Sequence, residues 1–161
     1  MGVFDTYVQG ILDQAGTEAH EDGSATIEAH HLLMAIAAAP ETAPARMLAE
    51  AGLDHRAIRE MLDREFEHSL SAVGVSAAAF GPRRSSRAEG APARLGASVK
   101  LALERGLGPV ARKKDLRPPH LLLGILQAEV GTVPRALALA GVDRAGLVER
   151  IRRSLTTEAS R

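Results

Sequence analysis

Two histidines and a glutamate stand close together in the segment IEAHHLLMAIA, residues 27–37, and such side chains bind metals or transfer protons. Zinc takes histidine nitrogens and carboxylate oxygens, so Glu28, His30 and His31 are candidate zinc ligands. The spacing places no third ligand beside them, however. We therefore predict no metal site and no cofactor, and we keep a metal-dependent enzyme at His30 and His31 only as a third hypothesis.

Other catalytic arrangements are missing from the sequence. The chain has no cysteine, and no Ser-His-Asp combination can be argued from spacing. The segment GILDQAGT, residues 10–17, has the wrong spacing for a phosphate-binding loop and lacks its lysine. The neighbouring residues His20, Glu21 and Asp22 are predicted to be a solvated helix end. These observations favour a protein that is not an enzyme.

The histidine segment occurs twice. LRPPHLLLGIL, residues 116–126, aligns with residues 27–37 at a shift of 89, which places His31 on His120. Over residues 27–62 and 116–151 the ungapped alignment has twelve identities in thirty-six positions. A histidine at the same place in both copies, next to two leucines, favours a structural role, in which each ring bonds a backbone group near a helix start.

The copies also share the signals that end one helix and begin the next. LAEAGLD and LALAGVD place Gly52 and Gly141 just after a helix end, where glycine is favoured. Asp54 and Asp143 follow two residues later and are good N-caps for the next helix.

Apolar residues spaced three and four apart recur throughout, and no alternating β pattern of useful length appears. Small residues in the first helix of each copy would allow close helix approach; they are Ala15, Ala19, Ala102 and Gly106. The fold class is therefore all-α, with two four-helix repeats and about eight helices. We predict a single domain over 1–161, with repeat one at 1–70, a linker at 71–92 and repeat two at 93–156.

The net charge of zero conceals a strong asymmetry. Residues 1–80 carry 13 acidic and 4 basic residues, a balance of −9, and residues 81–161 carry 7 acidic and 16 basic residues, a balance of +9. The two halves either attract each other or steer partners of opposite sign.

No apolar run is long enough to span a bilayer, and the start of the chain lacks the pattern of a secretion signal. Arginine outnumbers lysine 17 to 3, so we expect a bacterial, cytoplasmic protein.

Two short basic runs lie in the second half, one at 112–114 and one formed by Arg83, Arg84 and Arg87. Nucleic-acid binding would require them on one face, preferably beside stacking aromatics, and this half has none. We predict solvated loops, with an acidic protein partner as the alternative.

The duplicated pattern HHLLMAI and HLLLGIL, with LAEAGLD and LALAGVD, resembles the N-terminal domain of the Clp unfoldases. Phe4 is similar to a residue of ClpC-type domains. The resemblance implies an all-α domain with pseudo-twofold symmetry that docks adaptors and substrates and is not itself an enzyme. Because no ATPase motif is present, we expect a stand-alone N-domain.

Three positions depart from the ClpC-type pattern. His30 and Pro119 stand where the family often has glutamates that read phosphorylated arginine, and Ala91 stands where an aromatic often precedes the second repeat. The resemblance then implies a lopsided groove between the repeats. The residues expected to contact a partner are Phe4, Asp5, Glu28, His30 and Arg117.

The leading hypothesis is a non-enzymatic protein- or peptide-binding module of the Clp proteolysis system, acting as an adaptor, decoy or regulator of a Clp unfoldase. Its partners would be the unfoldase or its substrates and adaptors. A narrower version is sequestration of peptide natural products. The alternative is a nucleic-acid-associated protein that uses the basic second half.

Overall fold

A computed structural model describes residues 2–74 and 94–160 of the chain. The described part is all-helical and has no strand, which confirms the predicted fold class. Each repeat supplies four helices in the same order. They are α1 (Val3–Glu21), α2 (Ala29–Ala37), α3 (Ala43–Glu50), α4 (His55–Ala72), α5 (Ala97–Leu107), α6 (Pro118–Leu126), α7 (Thr132–Leu139) and α8 (Arg144–Ala159). A short 3₁₀ turn, Lys113–Asp115, precedes α6.

The central helices α2 and α6 are the two copies of the histidine segment. Both are apolar on almost every side, a composition that is stable only when a helix is surrounded by protein. Helix α2 packs against α6, and both repeats contribute to one aliphatic core. The two repeats therefore share one buried core.

Glycines allow α5 and α6 to approach at backbone distance. A Cβ atom on Gly124 would lie 2.1 Å from the carbonyl oxygen of Ala102, and one on Gly106 would lie 2.3 Å from that of His120. No side chain tolerates such contacts. The predicted close approach through small residues is confirmed for this pair of helices.

The third helix of each repeat ends in the same way. Gly52 and Gly141 have φ of 77° and 71°, and the residue after each donates its N–H back to a leucine carbonyl in the last turn. The carboxylates of Asp54 and Asp143 then accept a backbone N–H at the start of α4 and α8, at 2.8 and 3.0 Å.

The first helices differ between the repeats. Helix α1 has 19 residues and α5 has 11. Where α5 begins late, the preceding chain is extended and pairs with Ile27 through an isolated parallel bridge to Leu95. Where α1 begins early, its first turn lies beside the 3₁₀ turn and the start of α6. This difference shapes the surface between the repeats.

Two helices extend past the predicted repeat boundaries. Helix α4 ends at Ala72, two residues past the expected end of repeat one, and α8 continues to Ala159. Most of the linker predicted at 71–92 lies outside the described residues. So do Ala91 and the basic run of Arg83, Arg84 and Arg87. None of the helices described is both long and apolar enough to cross a membrane.

Candidate functional site: a groove between the repeats

His31 and His120 stand at the third position of α2 and α6. In each helix, Nδ1 accepts the backbone N–H of the N-cap residue, Glu28 or Arg117, at 2.9 Å. A histidine thus fills the place that glutamate or glutamine has in a capping box. Because this geometry uses the lone pair of Nδ1, the proton of the neutral ring lies on Nε2.

In the first repeat, the carboxylate of Asp22 accepts a hydrogen bond from this Nε2–H. Its Oδ2 lies 3.2 Å from Nε2 of His31 and 3.8 Å from Nε2 of His30. The prediction of a solvated helix end is wrong for Asp22, because its side chain is only 18% exposed. The chain turns after α1 and brings this residue back over the start of α2.

The ligand atoms of Asp22, His30 and His31 all lie within 4.8 Å of one another, which is a spacing suited to a metal ion. The donor set does not fit one, however. His31 could coordinate only through Nε2, which carries the ring proton as long as Nδ1 accepts from Glu28. Metal-bound histidines instead donate their other ring N–H. Burial lowers the pKa of His31, although Asp22 acts in the opposite direction.

Glu28 fastens the two repeats together. Its carboxylate accepts a hydrogen bond from the hydroxyl of Ser98 at 2.6 Å and another from Thr26, and it lies directly against Gly96. Burial acts to raise the pKa of Glu28, but these two hydrogen bonds hold it below its usual value. The backbone N–H of Ala29 also donates to Ser98, at 2.8 Å. Both carboxylate oxygens are therefore engaged in the contact between repeats.

The candidate site lies at the start of α6, where the N-cap residue Arg117 occupies the position equivalent to Glu28. A groove of about 600 Å³ opens there between the start of α1 and the start of α6. We call it the inter-repeat groove. Its lining consists of Gly2, Val3, Phe4, Asp5, Lys113, Lys114, Leu116, Arg117 and Pro118.

Apolar side chains form much of this groove. Val3 is 88% exposed, and Phe4, Leu116 and Pro118 are half-buried. An exposed apolar strip of this kind, rimmed by charged residues, is typical of a protein interaction site.

The rim of the groove is mainly basic. Lys113 pairs with Asp5 at 3.2 Å, and this hydrogen bond lowers the pKa of the Asp5 carboxyl. One nitrogen of the Arg117 guanidinium, Nη1, donates to the carbonyls of Lys114 and Leu116. The basic run at 112–114 is therefore an exposed turn at the edge of the groove.

The structure divides the predicted partner residues into two groups. Phe4, Asp5 and Arg117 line the inter-repeat groove. Glu28 and His30 instead line a smaller pocket of about 270 Å³ between α5 and the start of α7. That pocket also has exposed apolar side chains, but its glutamate is already engaged with Ser98.

Buried carboxylates outside the duplicated motifs were not found by sequence reasoning. Glu18 in α1 is 2% exposed and bonds His55 and Arg59 of α4 at 2.6 and 2.9 Å. Glu65 in α4 bonds Arg135 of α7 at 3.0 Å, across the repeats. Burial acts to raise the pKa of Glu65, but Ser69 and Arg135 hold it below its usual value. Nothing in their spacing marked these residues, since their partners lie 37 to 70 positions away.

Comparison with known proteins gives one family. The family described as the Clp repeat (R) N-terminal domain matches residues 3–92, which are 90 of the 161 residues. The matched region contains α1 to α4 and ends before α5. No curated protein matches the chain.

Proposed function

The chain belongs to the Clp repeat (R) N-terminal domain family, and from this premise we propose that it binds polypeptides for the Clp proteolysis system. The family is non-catalytic, and we propose the same for this protein. It would act in the bacterial cytoplasm as an adaptor, decoy or regulator of a Clp unfoldase. Sequestration of peptide natural products is a narrower form of the same proposal.

The observation that carries this proposal is the inter-repeat groove. Its apolar strip combines the most exposed large hydrophobic side chain of α1, Val3, with Phe4 from the same turn and Leu116 from the other repeat. A groove of this size accommodates side chains of an extended or helical segment. Each half of the site comes from a different repeat, so binding depends on the junction that the duplicated fold creates.

The experiment is binding of the full chain to the purified Clp unfoldase of the same organism at low salt. We expect retention of the unfoldase, and we expect Val3→Gln to weaken binding by about tenfold, because a buried valine contributes about 1.5 kcal/mol or more. Val73→Gln is the matched control, since Val73 is a 72% exposed valine at the end of α4, outside the groove.

Val3 is too exposed to contribute to the core, so both variants should keep the helical content of the parent in circular dichroism. Failure of the full chain to retain the unfoldase at low salt would count against the adaptor and regulator roles. Equal weakening by the two variants would show that the groove is not the binding surface.

A further inference from the structure

We infer that the polypeptide segment bound in the inter-repeat groove carries acidic side chains next to an apolar residue. This inference rests on the proposed function and specifies the chemistry of its ligand. The groove has three cationic side chains, Lys113, Lys114 and Arg117, and one acidic side chain, Asp5. Since Asp5 neutralises Lys113, two positive charges are left without an acidic partner among the described residues.

Arg117 is held in position by neutral groups. Its Nη1 donates to the carbonyls of Lys114 and Leu116, at 2.9 and 3.3 Å, and among residues 2–74 and 94–160 it forms no ion pair. The Nε and Nη2 atoms keep their N–H donors. These two atoms form the edge of a guanidinium that binds a carboxylate through two parallel hydrogen bonds.

Lys114 supplies the second free charge. It is exposed, and within the part of the chain that the structure describes it has no acidic partner. It stands three residues before Arg117 on the same rim, so both side chains can bind the same acidic segment. An acidic ligand would also be guided toward this rim by the surplus of positive charge in repeat two.

The positive charge of the rim comes from side chains and not from the helix end. Helix α6 begins with Pro118 and Pro119, which have no N–H, and the N–H of Arg117 already donates to His120. The usual backbone donors of a helix start are thus missing or engaged. Neutralising the side chains should therefore remove the preference for acidic ligands.

Glu28, the residue of repeat one that is equivalent to Arg117, has different surroundings. Glu28 directs its carboxylate into the contact with Ser98 and Gly96, so both of its oxygens are engaged between the repeats although the residue is partly exposed. Arg117 makes no such contact with α1, and its side chain is exposed. The exchange of an inward carboxylate for an outward guanidinium makes this groove open and basic.

Fluorescence anisotropy with the full chain tests the inference. Three short labelled peptides, each with blocked ends, would have a central leucine flanked by two glutamates, two glutamines or two lysines. At low salt we expect the glutamate peptide to bind about five- to tenfold more tightly than the glutamine peptide, and the lysine peptide to bind least. The difference should shrink at about 0.15 M salt, because exposed charges are screened.

Two single variants locate the effect. Arg117→Gln and Lys114→Gln should each reduce the preference for glutamate over glutamine, whereas Arg150→Gln on the exposed face of α8 should leave it unchanged. The ammonium group of Lys114 is exposed and forms no hydrogen bond or ion pair within the described residues, so Lys114→Gln should leave the fold unchanged.

The outcomes separate this inference from the function on which it depends. Equal affinity for the glutamate and glutamine peptides would overturn it and leave the polypeptide-binding proposal intact. A chain that retains the unfoldase but binds none of the three peptides would also overturn the inference about acidic ligands and leave the proposed function intact. A short single-stranded DNA that displaces the glutamate peptide and binds more tightly would show a general polyanion surface instead. Loss of both unfoldase and peptide binding would reject the proposed function itself.

Discussion

His31 and His120 occupy the same position in their helices, but their surroundings differ. Both rings accept the N-cap N–H through Nδ1, and burial lowers the pKa of both. His31 has no exposed surface and also bonds Asp22, whereas His120 is half-buried and has only the backbone bond among the described residues. The first histidine therefore contributes more to stability than the second.

Replacing His31 by glutamine tests this difference. Glutamine can still accept the N-cap N–H, but it loses the bond to Asp22 and leaves a poorly filled site in the core. We expect His31→Gln to lower the free energy of unfolding by about 2 kcal/mol and His120→Gln by about 1 kcal/mol or less, measured by urea denaturation. Equal effects would show that the bond to Asp22 and the deeper burial contribute nothing.

The same two variants should also change how the free energy of unfolding depends on pH. The pKa of His31 in the folded chain lies below its ordinary value of 6.5, so below that pH the unfolded chain binds a proton that the folded chain does not. Unfolding therefore becomes easier as the pH falls from about 7.5 to 5.5. His31→Gln and His120→Gln should each decrease this pH dependence, because burial lowers the pKa of both rings, and urea titrations repeated across this range would measure the decrease.

Sequence comparison found the residues that the duplication repeats, and it missed those that join the repeats to other helices. The shift of 89 identified His31 and His120, and the chemistry of a helix start indicated their role. Asp22 could not be found in this way, because its contact depends on the turn between α1 and α2. Glu65 and Arg135 are likewise paired only by the packing of α4 on α7.

At the scale of helices, the close contact between α5 and α6 leaves no room for an added methyl group. The methyl group of an alanine at 124 would meet a backbone carbonyl at 2.1 Å and the backbone nitrogen of Gly106 at 2.8 Å. Backbone atoms cannot move aside as a flexible side chain can. The two helices would have to separate, and the core between them would open.

Gly124→Ala should therefore destabilise the protein by about 3 kcal/mol, the upper end of the usual cost of overpacking. Gly10→Ala is the control, since a methyl group on Gly10 in α1 would meet no neighbouring group within 4 Å, and alanine there should stabilise the helix by about 0.5–1 kcal/mol. Urea denaturation of both variants measures these effects. A neutral Gly124→Ala would mean that α5 and α6 are less closely packed than the structure shows.

Helix lengths in the second repeat could be predicted from the first only where the duplication is regular. Helices α2 and α6 both have nine residues, and α3 and α7 both have eight. The early start of α1 and the extended chain before α5 break this regularity. Two features follow from that difference: the contact of Ile27 with Leu95 and the open inter-repeat groove. Neither could be predicted from the repeated motif.

At the scale of the whole molecule, the opposite charges of the two halves are only partly used in holding them together. Two ion pairs within the described residues cross between repeats, Glu65 with Arg135 and Asp5 with Lys113. The main contact is apolar: α2 and α3 pack on α6, and α4 packs on α7. Hydrophobic burial of this kind is much less sensitive to salt than paired surface charges are.

A shared core predicts that the two repeats unfold together. The single tyrosine, Tyr7, lies in α1 and packs against the core, so its fluorescence reports on repeat one, whereas far-UV circular dichroism reports on all helices. We expect the two signals to follow the same urea transition. Leu137→Ala, in α7 of repeat two, should move the tyrosine transition as far as it moves the helical one.

Leu48→Ala is the matched variant, because Leu48 and Leu137 align in the duplication and are both completely buried. Each truncation should lower the free energy of unfolding by about 2–5 kcal/mol, whichever probe is used. If the repeats were independent, Leu137→Ala would leave the tyrosine signal unchanged and split the helical transition into two steps. The inter-repeat groove would then lie between two separately moving bodies, and a binding site formed by residues of both could not be rigid.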